Sequence, residues 1–322
     1  MPLNADKPDS ARPSSEAARP SLEIHIPISP TPKFLRMARC LVASLRHFGG
    51  EYSQTPVILT IGDTTLADDR VRRDNPWLDA WKVDTRWVPL DLFARESYYA
   101  TANERFTYEF KSDMVLMLDA DMLVARPFDD LVSELHVEQK TGGVIAYASP
   151  FQDASKWQRL FDLCGLGLVK PIHEHPGWPY LYPERARYCP PYFNLGFLLM
   201  PRQHASAIGR VIYDSMHKAA NIEETIYKCQ LAFGLAVTSL DLPYECLPLR
   251  YNFANNRDLE ALHGAEQAYA CILHLIWNHQ GVWKESLYGE PDGIQKLLER
   301  DDLAGINKQA QEVLRHIWPD IQ

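Results

Sequence analysis

The chain has 322 residues, 46% hydrophobic and 23% charged, the make-up of a globular protein with ample material for a core, which excludes disordered, collagenous and membrane-spanning classes. Its 33 Lys and Arg against 42 Asp and Glu leave a net charge of −9, with no basic stripe, so no nucleic-acid partner is expected. An acidic chain that binds an anion must bring local countercharge to it, from clustered basic side chains or from a metal.

Residues 1–20, MPLNADKPDSARPSSEAARP, are too polar and too rich in Pro and Ser to bury anything and read as a disordered leader. They lack the apolar core of a signal peptide, and no later run reaches the roughly 18 apolar residues of a membrane span. LEIHIPI from Leu22 alternates like a strand, TPKFLRMARCLVASLRHF has helical spacing up to Gly49-Gly50, and PVILTIGD is a second strand. Strand, helix, strand in this order opens a mostly parallel α/β sheet flanked by helices. TRWVPL supplies a third strand, a helix is expected around Ala102 to Phe110, and MVLML at 114–118 is the most apolar strand, ending in Asp119-Ala120-Asp121. GGVIAYASP, FNLGFLLM at 193–200, ECLPLRYNF and ACILHLIW are the later β segments, and Gly293 to Ile317 has the amphipathic spacing of a covering helix. The expected organisation is one domain over 21–290, carrying an insertion at 150–191 and followed by a helical extension at 291–322.

The insertion concentrates Trp157, Trp178, Tyr180, Tyr182, Tyr188 and Tyr192 among prolines and glycines. Such rings either pack the insertion onto the body or stack on sugars or bases. Cys40, Cys164, Cys189, Cys229, Cys246 and Cys271 form no Cys-x-x-Cys and no zinc-type cluster, so reduced, mostly buried thiols in a cytoplasmic protein are expected.

In parallel α/β sheets ligands sit outside the carboxyl ends of the strands, which is where the strand over 114–118 delivers two carboxylates. Asp119 and Asp121, separated by one small residue, can both approach one divalent cation; without a cation, two buried like charges would be costly. The bland alternative is a pair of turn or capping aspartates. An apolar strand ending in Asp-x-Asp resembles two families: the nucleotide-sugar glycosyltransferases of GT-A fold, and the haloacid-dehalogenase-like phosphatases, in which Asp119 would be a phosphoryl-accepting nucleophile. In the phosphatases the motif lies on the first strand and continues into Thr; here about a hundred residues precede it and Met122-Leu123 follow.

Further segments resemble glycosyltransferase family 8, the glycogenin-like and galactosyltransferase-like hexosyltransferases. YFNLGFLLM is similar to the family's Phe-Asn-x-Gly strand, which implies that Asn194 touches the donor sugar and Gly196 admits it close to the backbone. Gln230 matches the glutamine of a family Asp-Gln pair on a helix, and Cys229 stands where the acid would be. ACILHLIWNHQGVWK resembles the closing motif, which implies that His274 completes the metal shell with Asp119 and Asp121, with His279 as the fallback, and that Gly281 and Lys284 hold the diphosphate. Arg105 resembles a family arginine near the nucleotide; a surface salt bridge would also explain it. Where the family often carries an acid after its first strand, facing the nucleotide, this chain has Pro27-Ile28-Ser29-Pro30.

The resemblance implies transfer from a nucleotide-diphospho-sugar, a UDP-sugar, to a hydroxyl of a saccharide or other acceptor lying against the insertion. Oxygen and imidazole ligands suit Mn²⁺ or Mg²⁺. Glu223, Glu224 and Asp241 are nearby substitutes for the missing acid, and Asp153 is a candidate base on the acceptor. Two alternatives stay open: a Mg²⁺-dependent phosphohydrolase, and a nucleotide-sugar-binding protein without turnover, which Cys229 would explain. A homo-oligomer is compatible with all of these readings.

Overall fold

In the computed structural model, the structure describes residues 19–146, 150–151, 155–166, 191–222 and 225–322. The first half contains β1 (Leu22–Ile28), α1 (Pro32–Phe48), β2 (Val57–Ile61), α2 (Asp68–Asp74), α3 (Trp77–Ala80), β3 (Val83–Trp87), α4 (Leu90–Glu96), α5 (Tyr98–Glu104), β4 (Met114–Leu118), β5 (Met122–Val124), α6 (Asp129–Glu138) and β6 (Thr141–Ile145). The second half contains α7 (Ser155–Leu163), β7 (Phe193–Pro201), α8 (Arg202–Ala220), α9 (Lys228–Ser239), β8 (Tyr244–Cys246), β9 (Phe253–Ala254), α10 (Arg257–Leu262), α11 (Gly264–Ala268), β10 (Ile272–His274), α12 (Lys284–Gly289), α13 (Gly293–Leu298) and α14 (Gly305–Ile321).

Seven strands form one sheet in the order β3-β2-β1-β4-β7-β6-β8. β3, β2, β1 and β4 run parallel, and β7 runs antiparallel to both β4 and β6. β4 lies at the centre because all five of its residues are buried, and a strand apolar on both faces is stable only under two helical layers. Its alternation divides the core. Met114, Leu116 and Leu118 join the cluster containing α1 and α14, while Val115 and Met117 join the one beneath α7, α8 and α9. α1 starts where Thr31 caps the Phe34 amide and Pro32 fits the first helical turn, a position that has no hydrogen bond to lose.

β5, β10 and β9 form a separate three-stranded sheet. β10 pairs antiparallel with β5, setting His274 opposite Met122, and parallel with β9, setting it beside Ala254. The small sheet therefore starts immediately after the Asp119-Ala120-Asp121 corner and turns the closing segment of the chain back onto it.

Four expectations are corrected. The body begins before residue 21: Pro20 is buried and its carbonyl accepts from Tyr52 Oη at 3.1 Å, while Arg19 pairs with Glu51; the rest of the expected leader, residues 1–18, lies outside the described residues. The helix expected at Ala102 to Phe110 lies earlier, as α5. After Glu104 the chain turns so that Phe106 packs on Phe233 at 5.6 Å, and Tyr108 and Phe110 enclose His25 at 4.8 and 5.2 Å. ECLPLRYNF is not one strand but β8, a 3-10 turn at Leu249–Tyr251, and β9. The stretch from Gly293 forms two helices, α13 and α14, and α14 packs on α1 within the main core.

Most of the aromatic insertion lies outside the described residues, Trp178, Tyr180, Tyr182 and Tyr188 included. Trp157 and Tyr192 are core residues, edge-to-face at 5.7 Å, and Phe151 lies 4.9 Å from Trp157. Among the described residues Cys40, Cys164, Cys229, Cys246 and Cys271 are free thiols, and no helix is long and apolar enough to cross a membrane.

Candidate active site

Asp119 leaves the end of β4 with its amide donating to the Gly196 carbonyl at 3.1 Å, so the corner is tied to β7. Asp121 immediately precedes β5, and its carbonyl accepts from Leu275 N at 3.0 Å. The β5–β10 register thereby brings His274 Nε2 to 3.2 Å from Asp121 Oδ1. One oxygen from each aspartate and one His274 nitrogen lie within 4.8 Å of one another. Two carboxylates and an imidazole, one group half-exposed and two buried, form a donor set that fits a hard or borderline divalent cation.

Lys284, the first residue of α12, places Nζ 2.6 Å from Asp121 Oδ2. Burial alone would raise the Asp121 pKa, but His274 and Lys284 outweigh it and hold the carboxyl well below the usual range. Burial likewise works against the Lys284 charge, and the attraction of Asp121, assisted by Asp119, holds its pKa above the ordinary value.

Beneath the aspartates lies Arg105, 1% exposed, donating to the carbonyls of Ala102 (3.0 Å), Leu118 (3.3 Å) and Leu195 (3.3 Å). Its guanidinium is 3.6 Å from Asp119 Oδ1. The surface salt bridge does not describe it: Arg105 clamps the end of β4 to the start of β7 from below and gives Asp119 a buried countercharge.

Asn194 accepts the Gly196 amide on Oδ1 at 2.9 Å and receives Asn252 Nδ2 on the same oxygen at 2.9 Å. Asn252 Oδ1 in turn lies 2.8 Å from His274 Nδ1. A Cβ at Gly196 would stand 2.7 Å from Asn194 Oδ1 and 2.9 Å from His274 Cε1, so only glycine allows this packing. Gln230, on α9, spans β7 by donating to Tyr192 Oη at 2.8 Å and accepting from Leu195 N at 3.4 Å.

A family model, the Rhodobacterales glycosyltransferase domain, matches residues 28–241. The chain belongs to this family. No sequence among curated proteins matches the glycosyltransferase. Solved structures do: the galactosyltransferase LgtC in complex with donor and acceptor sugar analogs is similar at TM-score 0.50 and 14% identity, over 81% of this chain and 90% of that one. An active-site mutant of LgtC is similar at TM-score 0.53 and 15% identity, over 91% and 95% of the two chains. Mouse xyloside xylosyltransferase 1 gives 0.48 and 13%, over 80% and 98%. The LgtC likeness shows the fold: the glycosyltransferase has the GT-A architecture, with Asp-x-Asp after its central fourth strand. The phosphohydrolase expectation does not survive the family match, nor does a protein without turnover.

The remaining expected residues of the glycosyltransferase divide. His279 is no fallback ligand, since its Nε2 faces Glu260 at 3.8 Å in a hairpin where His279 and Val282 exchange hydrogen bonds of 2.9 and 3.2 Å. That hairpin accounts for Gly281: Gln280 and Gly281 take φ of 53° and 70°, the left-handed pair of a type I′ turn. Ile28 contributes its side chain to the main core, and its carbonyl accepts from Gly62 N. Cys229 packs its Sγ 3.9 Å from both Met216 Sδ and the Tyr99 carbonyl, and burial pushes its thiol up to about 12, so it brings no charge in place of the family acid. Asp241 is an exposed turn residue with φ 49°. Asp153, Glu223 and Glu224 lie outside the described residues. Asn252 was missed; its signal was a polar residue between the aromatic Tyr251 and Phe253.

Proposed function

We propose that the protein transfers a sugar from a nucleotide-diphospho-sugar, a UDP-sugar, to an acceptor hydroxyl, using a divalent cation, Mn²⁺ or Mg²⁺, held by Asp119, Asp121 and His274. The observation that carries this reading is the convergence of those three side chains, two from the corner between β4 and β5 and one from the end of β10, with Lys284 on Asp121. A bound cation supplies neutralisation of the charge that grows on the departing diphosphate.

The chain's own groups do the rest. Asp119 lies beside the buried Arg105 guanidinium, and His274 and Lys284 hold the Asp121 carboxyl well below the usual range. When a diphosphate arrives, the Lys284 ammonium exchanges its carboxylate partner for a phosphate oxygen, so a donor already in place is put to use as the leaving group departs. Asn194 keeps its amide NH₂ for the donor ring, because its oxygen is taken by Gly196 and Asn252. Gln230 holds the start of β7 and with it the floor on which the sugar rests. Fixing donor and acceptor at this floor supplies a large part of the rate. The acceptor lies against the 150–191 segment, and the free thiols of the described cysteines support a reducing, cytoplasmic setting.

The test is a panel of nucleotide-sugars with simple saccharide acceptors, with Mn²⁺ and after chelation, monitored by release of nucleoside diphosphate and mass analysis of products. The expected result is cation-dependent UDP release from one UDP-sugar, with glycosylated acceptor. Turnover at full rate after chelation would refute the proposal.

A further inference from the structure

We infer that Asn252 is a positioning residue that orients the metal-facing nitrogen of His274 and the sugar-facing amide of Asn194 through one hydrogen-bonded chain; this rests on the metal reading above. The two ends of an asparagine amide are distinguished by their partners, and here the assignment starts from a group with no choice. The Gly196 backbone N–H can only donate, so the Asn194 atom 2.9 Å away is the oxygen. The Asn252 atom 2.9 Å from that oxygen must then be its NH₂. That leaves the Asn252 oxygen facing His274 Nδ1 at 2.8 Å, and an oxygen without hydrogen requires Nδ1 to carry the proton.

Nδ1 is thereby committed to Asn252, and Nε2 is the ring nitrogen left facing Asp121 Oδ1, 3.2 Å away, where a cation shared with that carboxylate would take it. His274 and Asn252 are 2% and 5% exposed, so water does not compete for these bonds, and reversing one amide would oppose like groups at both ends. At the other end, Asn194 turns its NH₂ toward the donor because its oxygen is spent. A backbone amide of β7 therefore dictates both the ring nitrogen offered to the metal and the polarity offered to the sugar, and Asn252 is the only link between them among the described residues.

The experiment compares wild type, Asn252→Ala and Asn252→Asp as metal-stripped full-length protein. Mn²⁺ affinity is measured by titration without nucleotide, and donor KM and kcat are measured separately. An aspartate still accepts the His274 Nδ1 proton but cannot donate to Asn194. Asn252→Asp is therefore expected to keep Mn²⁺ affinity within about threefold of wild type while kcat/KM for the donor falls about tenfold, and Asn252→Ala is expected to lose about 10- to 100-fold in Mn²⁺ affinity as well. Equal Mn²⁺ affinity in wild type and Asn252→Ala, or equal loss in both variants, would overturn the inference while leaving the metal site standing. A wild type that binds no Mn²⁺ would overturn the metal reading and this inference together.

Discussion

Replacing Lys284 by Met should push two affinities in opposite directions. In the ligand-free protein the ammonium sits 2.6 Å from Asp121 Oδ2, a gross attraction of about 6 kcal/mol at an effective dielectric near 20. Desolvation cancels most of it. Lys284 keeps 31% exposure and His274 shares the same carboxylate, so the net contribution should be about 1–2 kcal/mol. Lys284→Met should therefore lower the melting temperature of metal-free protein by about 2–6 °C. A cation entering the wild-type site must displace that ammonium, so the variant should bind Mn²⁺ alone about 5- to 30-fold more tightly. In the presence of Mn²⁺, UDP should bind the variant about tenfold more weakly, because a charge-assisted bond to phosphate is gone. Calorimetric titrations with Mn²⁺ alone and with UDP plus Mn²⁺ read both signs. If Lys284→Met binds Mn²⁺ no better than wild type, or UDP as well as wild type, the exchange of partners at Lys284 is wrong.

Three other substitutions test separate parts of the account. Gly196→Ala forces a methyl group against Asn194 Oδ1 and His274 Cε1; it should cost about 1–3 kcal/mol of stability and lower transfer at least tenfold, and a fully active, equally stable variant would contradict the packing described. His25 is fully buried between Tyr108 and Phe110, and burial lowers its pKa. The unfolded chain therefore binds the extra proton, so this group's stabilisation is complete above about pH 6.5 and is lost as the pH falls, by up to about 1.4 kcal/mol per pH unit. Urea titrations at two pH values should show a flatter dependence for His25→Phe, and an unchanged slope would refute it. Cys229→Ala should leave transfer within about threefold of wild type, since a neutral thiol packed on Met216 carries no charge to the reaction; a hundredfold loss would give the thiol a role.

What the sequence disclosed and what it concealed follow from the range of the interactions involved. β4 was legible because five apolar residues in a row ending in Asp119-Ala120-Asp121 require a strand buried on both faces with its charges at the tip. Asn194, Gly196 and His274 were singled out through motif resemblance; in the structure His274 contacts Asp121 and is joined to Asn194 through Asn252. The pairing that puts His274 there was not legible: β5 and β10 have three residues each, too short for a periodic signal, and the register between residues about 150 apart is set only by the folded core. Asn252 was hidden for the same reason, inside a stretch that alternates like one strand but breaks at Leu249–Tyr251. Arg105 was placed on a helix, with a surface pair as the alternative, because nothing local announces that a charged side chain will be buried under two strand ends. Gly281 and His279 both fit a ligand motif, yet in the fold Gly281 sits in a two-residue hairpin turn and the His279 ring faces Glu260.

The most direct measurement is a Mn²⁺ titration of metal-stripped protein in the presence of UDP, followed by electron paramagnetic resonance, on wild type and on the Asp119→Asn, Asp121→Asn double variant. One tightly held Mn²⁺ per chain in wild type, lost in the double variant while its fold is intact by circular dichroism, is the predicted result. A wild type that leaves Mn²⁺ free in solution, or a double variant that binds it as well, would contradict the claim that these two aspartates and His274 hold a cation for the diphosphate.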